Sequence, residues 1–328
     1  DLGAGTLIGP DDHCSPSLVI VSTPPDVADI CVVDALIRYP EAVVSDVASV
    51  KLAVLEGVVE EAQRRGLDIT SRYVGSHPMA GRERSGAGAA DADLFYGRPW
   101  VIVPSPTSSP DAVMRIRSLA GDVGAFPIEM DASTHDQSVA LISHVPQLVS
   151  SMLAARLADA PVSALSLSGQ GLRDTTRIAA SDPRLWTAIL AGNAGPVVKV
   201  LKDIRGDLDD LISHLDAAAQ EGALEGGSVG AVYRVMDQGN RGVARIPGKH
   251  GGAPTRYVVL DVFVPDTAGS LGRLFADLGE IGVNIEDFAL EHSAGAQMGV
   301  ARLSLDPSIV ASTICQLQER GWNTGSGD

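Results

Sequence analysis

The feature that most constrains this chain is a change of hydrophobic period near residue 131. From Ser17 to about Glu129, short β-branched runs alternate with longer helical patterns, the order that builds βαβ units into a parallel sheet. Strands are predicted at Leu18–Ser22, Ala42–Asp46, Tyr73–Gly75, Trp100–Val103 and Phe126–Glu129, and helices at Pro25–Arg38, Val50–Arg65 and Pro110–Leu119. The Gly-, Arg- and Ser-rich stretch from Gly75 to Pro99 predicts a long loop, and long loops in such folds often carry function.

From Ala132 to about Arg245 the β signal disappears. Leu141, Val145, Leu148, Val149 and Met152 recur at helical spacing, which predicts an all-helical domain. Further helices are expected at Leu185–Leu190, Pro196–Leu215 and Val229–Gln238, with Pro161, Pro183 and Pro196 at helix ends. Val197–Leu211 is apolar on more than one face, so a homodimer through the helical domain is expected beside an internal core. Ile246–Thr255 reads as a linker. Beyond it Arg256–Pro265, Asn284–His292 and Met298–Leu305 alternate like strands, while Gly269–Gly279 and Pro307–Arg320 read as helices, which gives a βαββα module. The chain therefore divides at 1–130, 131–245, 246–255 and 256–328.

Charge narrows the partners. The 25 Lys+Arg against 41 Asp+Glu leave a net charge of -16, which repels phosphate backbones and anionic membranes. A small metabolite is expected instead of nucleic acid or a membrane. An anionic metabolite would need a locally basic pocket, so single Arg and His residues are the informative ones. Cys14, Cys31 and Cys315 are odd in number and form no CxxC pair, so neither a metal nor a disulfide framework is indicated and a reducing cytoplasm fits. Apolar runs such as Leu18–Val21 and Val258–Val264 are far shorter than a bilayer span, and no basic leader opens the chain.

Gly3, Gly5 and Gly9 imitate a phosphate-binding fingerprint but fail its context. The spacing is GxGxxxG, no strand precedes it, and Pro10 stands where a helix should start. The sequence is thus expected to begin inside a nucleotide-binding domain, after its phosphate loop. Ser22, Thr23 and Pro24 still come directly after a strand, which puts them at the carboxyl edge where α/β enzymes bind ligands. An ordinary strand-to-helix turn is the plain alternative.

Six short motifs occur in order: Ser22-Thr23-Pro24-Pro25, Asp46-Val47-Ala48-Ser49-Val50-Lys51, Gly75-Ser76-His77-Pro78-Met79-Ala80-Gly81, His135-Asp136, Ser143-His144-Val145-Pro146, and Thr176-Arg177 through Asp182-Pro183. In that order and spacing they resemble the prephenate and arogenate dehydrogenases, from Thr23 to about Asp237. Asp266–Leu271 and Gly282–Ile285 resemble an ACT domain, a fold that commonly binds an amino-acid effector. The resemblance implies a partial Rossmann-type α/β domain, a helical dimerisation domain and an α+β ACT domain. It implies NAD, with NADP left open, and oxidative decarboxylation of prephenate to 4-hydroxyphenylpyruvate in tyrosine biosynthesis. An aromatic amino acid binding at Asp266, Gly269, Leu271, Asn284 and Ile285 would supply feedback.

The same resemblance assigns roles. His77 can accept the substrate hydroxyl's hydrogen bond if it stays neutral; tethering of the loop is the alternative. Ser49 matches the serine that bonds the catalytic imidazole and sets its tautomer, and it is also a competent N-cap for the next helix. Lys51 would add positive charge, or else be a solvated first-turn lysine. Arg177 can grip a carboxylate with two parallel bonds, or pair with Asp174 or Asp182. His144 and Gln147 would share a polar face, distinct from the Leu141, Val145 and Leu148 stripe, turned to the substrate. Ser22, Thr23, Pro24 and Ser49 would meet the cofactor, while His135 has a weaker claim to a role in the site, the alternative being that with Thr134 and Asp136 it organises a helix start. Arg82 and Arg84 receive no role.

Three rivals compete with this reading. One is action on arogenate or an amino-substituted prephenate. The second is a β-hydroxyacid dehydrogenase, which would want a lysine and asparagine four apart where Lys199 is followed by Asp203. The third is a non-catalytic amino-acid sensor.

Overall fold

The computed structural model describes residues 5–9, 13–67, 70–81, 90–222, 227–247, 257–292 and 298–325. The chain divides into two compact units, Asp1–Arg156 with Thr176–Arg205, and Leu157–Thr175 with Gly206–Asp328.

In the first unit β1 (Leu18–Val21) and β2 (Val43–Asp46) pair in parallel, joined by α1 (Pro25–Arg38). Pro25 supplies the preset φ of the first helical turn. Ala28, Val32, Val33 and Leu36 form one buried stripe of α1, and Arg72 closes its far end by donating to the carbonyls of Leu36, Tyr39 and Ala42 at 2.8–3.0 Å. Every residue of β2 is buried, as a strand covered on both faces should be. After α2 (Leu52–Arg64), β3 (Val74–Pro78) joins through a parallel bridge between Val44 and Tyr73.

Here the expectation of a parallel sheet needs correction. β3 runs antiparallel to β4 (Pro99–Pro104), and only β4 with β5 (Phe126–Glu129), linked by α3 (Pro110–Asp122), resumes parallel pairing. The described residues between β3 and β4 contain no crossover helix, and without one the chain returns along its neighbour. Val21, Val44 and Tyr73 pack with α1 and α2 on one face, and Val43, Val74 and Ile102 with α3 on the other. Gly5–Gly9 carry no helix or strand, while Gly3 and Pro10 lie outside the described residues.

Next come α4 (Ala132–Val139), a π-helical turn at Ala140–His144 and α5 (Val145–Ala155). Asp131 caps α4 by accepting from the Thr134 N–H at 2.9 Å. By length and composition Ala132–Ala155 would reach across a bilayer, more than the short apolar runs suggested, yet it buries His135, Asp136, His144 and Gln147. The extra residue of the π turn rotates the helical face beyond it, so Leu141, Val145 and Leu148 do not share one stripe. Val145 is buried and Leu141 is 60% exposed.

The helices α6 (Val162–Leu165) and α7 (Gln170–Thr176) precede a 3₁₀ turn at Arg177–Ala179, α8 (Pro183–Gly192), the 28-residue α9 (Ala194–Glu221) and α10 (Ser228–Val243). Asp182 caps α8 through the Arg184 N–H, with Pro183 at its first position.

The second unit ends in an antiparallel sheet of order β7-β8-β6-β9, made by β6 (Val258–Pro265), β7 (Asp287–His292), β8 (Met298–Leu305) and β9 (Asn323–Thr324). Alternate residues of β6 and β8 meet Leu274 and Leu278 of α11 (Ser270–Glu280) and Leu317 of α12 (Val310–Glu319), so both helices cover one face. The predicted βαββα order is present, extended by the short β9. Arg256 and most of the linker lie outside the described residues.

Candidate active site

A cavity of about 710 Å³ opens at the carboxyl ends of β1, β2 and β3 within the first unit. Ser22, Thr23 and Pro24 line it from the β1 end, Val47, Ala48 and Ser49 from the β2 end, and His77, Pro78 and Met79 from β3. The opposite wall comes from Ser143, His144 and Gln147 of the π turn and α5, and from Ile178, Ser181, Leu185 and Trp186. Thr23 Oγ1 is buried there without a hydrogen-bond partner among the described residues. A polar atom left so is costly unless something arriving satisfies it.

His77 lies within β3, not in the loop beyond it, and its backbone is held opposite Val101 of β4. Its Nδ1 is 2.9 Å from His135 Nε2, and His135 Nδ1 is 2.7 Å from Asp136 Oδ1. Both oxygens of the Asp136 carboxylate also accept main-chain N–H bonds, Oδ1 from Lys51 and Oδ2 from Leu52, each at 2.9 Å. Burial holds the His77 imidazole well below its ordinary value of 6.5, aided by the charge of Lys51 and by His135 and His144. The ring is therefore neutral near pH 7, as a base must be.

Lys51 and Asp46 form a buried ion pair, in which Asp46 also accepts from the Tyr73 hydroxyl at 2.8 Å and the Ala48 N–H at 3.0 Å. Burial lowers the Lys51 pKa while Asp46 opposes the shift, and burial together with Asp46 raises Tyr73 well above 10.0. Lys51 is thus neither a solvated lysine nor a wall residue. It reaches His77 through its field alone.

Ser49 lines the cavity, and the hydrogen bond of His77 Nδ1 goes to His135. Ser49 is not the cap of α2. That helix starts at Leu52, and its first N–H groups are received by Asp136, 84 and 85 residues away. His135, the weakest of the candidate histidines, is in direct contact with His77, while Asp131 performs the capping. The signal for this was the His135-Asp136 dipeptide itself, a histidine with an acceptor beside it.

His144 and Gln147 both line the cavity, but on the buried side of the helix. Asn193 Nδ2 donates to the Asp136 carbonyl at 2.8 Å and lies 3.0 Å from His144 Nδ1. Burial depresses the His144 pKa to about 4, despite the neighbouring Asp136. Gln147 Nε2 donates to the Ile178 carbonyl at 2.8 Å. Arg177 is exposed in the 3₁₀ turn, and the wall receives its neighbours Ile178 and Ser181 instead. A turn motif identifies a guanidinium without fixing its direction. The wall contains no Arg or Lys among the described residues. Lys199, the rival's residue, is exposed on α9 and also stands outside the wall.

In the second unit a cavity of about 420 Å³ is lined by Phe263, Gly269, Ser270, Arg273 and Trp322 among others. Of the five expected effector residues only Gly269 reaches it. Leu271 and Ile285 pack on the hydrophobic core, Asn284 donates to Glu286, and Asp266 is exposed in the turn after β6.

Family models match two consecutive segments: prephenate dehydrogenase, nucleotide-binding domain, over residues 12–129, and prephenate dehydrogenase, dimerization domain, over residues 131–226. A probable prephenate dehydrogenase, NovF of Streptomyces niveus, is 31% identical over 99% of this chain and 88% of its own. The prephenate dehydrogenase of Bacillus subtilis is 26% identical over 80% and 68%. Among solved structures, the prephenate dehydrogenase of A. aeolicus in complex with hydroxyphenyl propionate and NAD+ is 25% identical, with a TM-score of 0.58 over 69% of this chain and 77% of that one. Synechocystis arogenate dehydrogenase is 29% identical, with a TM-score of 0.55 over 69% and 78%.

Proposed function

Because the chain belongs to the prephenate dehydrogenase family, we propose that it oxidatively decarboxylates prephenate to 4-hydroxyphenylpyruvate with NAD, and that His77 is its base. One observation carries this reading: a histidine held neutral by burial stands in the wall of the cavity at the carboxyl edge of the sheet. Ser22, Thr23 and Pro24, with Ser49 at the neighbouring β2 end, would hold the cofactor, and the unpartnered Thr23 hydroxyl fits that use. Bound along that edge, NAD supplies the acceptor for the hydride of the carbinol carbon.

The chain's own groups do the rest. His77 accepts the hydroxyl proton and becomes an imidazolium whose Nδ1–H faces His135. The bond to the ring carboxylate breaks and carbon dioxide departs; its electron pair makes the ring aromatic, and the former carbinol oxygen takes the proton back from His77 as the phenol forms. The apolar wall of Ile142, Ile178, Leu185 and Trp186 faces the ring and limits water, which strengthens each polar contact inside. His144 offers a polar contact for a substrate carboxylate. Lys51 lowers the proton affinity of His77 from behind the wall.

The exposed Leu141, Met152 and Leu153 of the first unit support a homodimer through the helical domain, which we place at 131–245 after a nicotinamide domain at 1–130. The sheet and paired helices at 256–328 support an ACT module, with feedback by an aromatic amino acid as its use and the cavity near Gly269 and Arg273 as its site. The cytoplasm is the proposed location.

The test is to supply the full chain with NAD and prephenate, or arogenate, and to measure reduced cofactor and aromatic product. Equimolar NADH and 4-hydroxyphenylpyruvate from prephenate are expected. Turnover of arogenate alone would move the substrate assignment, and no turnover of either would overturn the reading.

A further inference from the structure

The two histidines of the cavity wall sit in separate hydrogen-bond chains that meet at Asp136. The Asp136 carboxylate only accepts, so His135 Nδ1, at 2.7 Å, carries the proton that joins them. In a neutral His135 the other nitrogen, Nε2, is then a lone pair, and His77 Nδ1 at 2.9 Å must be the donor to it. That leaves the lone pair of His77 on Nε2. The second chain starts from the Asp136 main-chain carbonyl, which accepts from Asn193 Nδ2 at 2.8 Å and so fixes which way the amide faces. Its second N–H meets His144 Nδ1 at 3.0 Å, which must accept, and the proton of His144 is placed on Nε2.

We propose that His135, Asp136 and Asn193 are positioning residues that lock His77 and His144 in opposite tautomers. The cavity then meets its substrate with one imidazole lone pair and one imidazole N–H. This rests on the dehydrogenase reading for its purpose, though not for its geometry. The lone pair of His77 suits a hydroxyl that must lose a proton, and the N–H of His144 suits a carboxylate oxygen. Such a pair gives direction to binding without a cation in the wall, where the described residues have neither Arg nor Lys. It also explains why His135 and Asn193 are buried with polar partners instead of being apolar core residues. An imidazole held in the wrong tautomer leaves the hydroxyl proton without an acceptor, an error that can cost on the order of 10⁴-fold in rate where a neighbouring acceptor fixes a catalytic histidine.

The direct test needs no substitution. Long-range ¹H–¹⁵N spectra of the full chain carrying ¹⁵N-histidine, assigned with single-histidine variants, report which ring nitrogen bears the proton. Near pH 7 we expect Nδ1–H at His77 and His135 and Nε2–H at His144. A His77 that bears Nε2–H, or that averages between forms, would overturn the proposal whether or not the chain oxidises prephenate. Two variants then separate positioning from mere packing. His135→Gln keeps a carbonyl able to accept from His77 Nδ1, and His135→Phe keeps the volume but no acceptor. His135→Phe should lower kcat about 100-fold or more with little change in KM and release the His77 tautomer, whereas His135→Gln should retain most of both. Equal losses in the two variants, with the His77 signals unmoved, would contradict the role. If instead the tautomers are as stated and prephenate is not turned over, the dehydrogenase reading fails and the network stands.

Discussion

At the scale of single residues, the site works by keeping imidazoles uncharged. His77 and His144 are both depressed by burial, His144 to about 4. The direction of each shift fixes a sign. A histidine whose folded pKa lies below its unfolded 6.5 is neutral through the interval between the two values, where the unfolded chain already binds the proton. Its contribution to stability is complete above pH 6.5 and is lost as pH falls toward the folded value. Activity should obey the same order. The acid limb of kcat/KM, which reports the free enzyme's base, should lie clearly below 6.5, so that turnover at pH 6 is close to that at pH 7. A pH profile with its acid limb at or above 6.5 would show that His77 is not so depressed. The residue types of this site were legible in the sequence, because His77, Ser49 and His144 sit in short motifs at turn and strand ends. Their partners were not. The bond from His77 to His135 spans 58 residues and that from Lys51 to Asp136 spans 85, and no local pattern encodes such pairings. Direction was also hidden, since nothing in its motif says that Lys51 faces Asp46.

At the scale of elements, α1 and α2 must approach closely enough to seat the two turns that frame the cavity. Gly57 of α2 is where they do so. A Cβ built on it would stand 2.6 Å from Asp29 Oδ2 and 2.9 Å from Asp29 Cβ. On helix propensity alone Gly→Ala should stabilise by about 1 kcal/mol. The clash reverses that sign, so Gly57→Ala should lower Tm, and a rise in Tm on thermal unfolding would show that the helices can part at no cost. Elements were the most legible level of this chain. Pro25–Arg38 emerges with the predicted bounds and Phe126–Glu129 likewise, since proline, aspartate and period mark their ends. The antiparallel return of β3 to β4 was missed because strand patterns do not state direction, and the π turn at Ala140–His144 because one inserted residue turns a face without altering composition.

At the scale of the whole molecule, the proposed function has a chain of net charge -16 meet an anionic substrate with a wall of neutral donors and acceptors. Lys51, whose positive charge acts on His77, is held behind that wall by Asp46. The central claim is that His77 receives the substrate proton, and replacing it isolates that step. In full-length His77→Asn, NAD affinity should match the parent protein, because Ser22, Thr23 and Pro24 are untouched. Turnover of prephenate should fall by roughly 10²–10⁴-fold, the range over which a positioned acid–base group acts. Retention of the parent kcat with intact NAD binding would contradict the account.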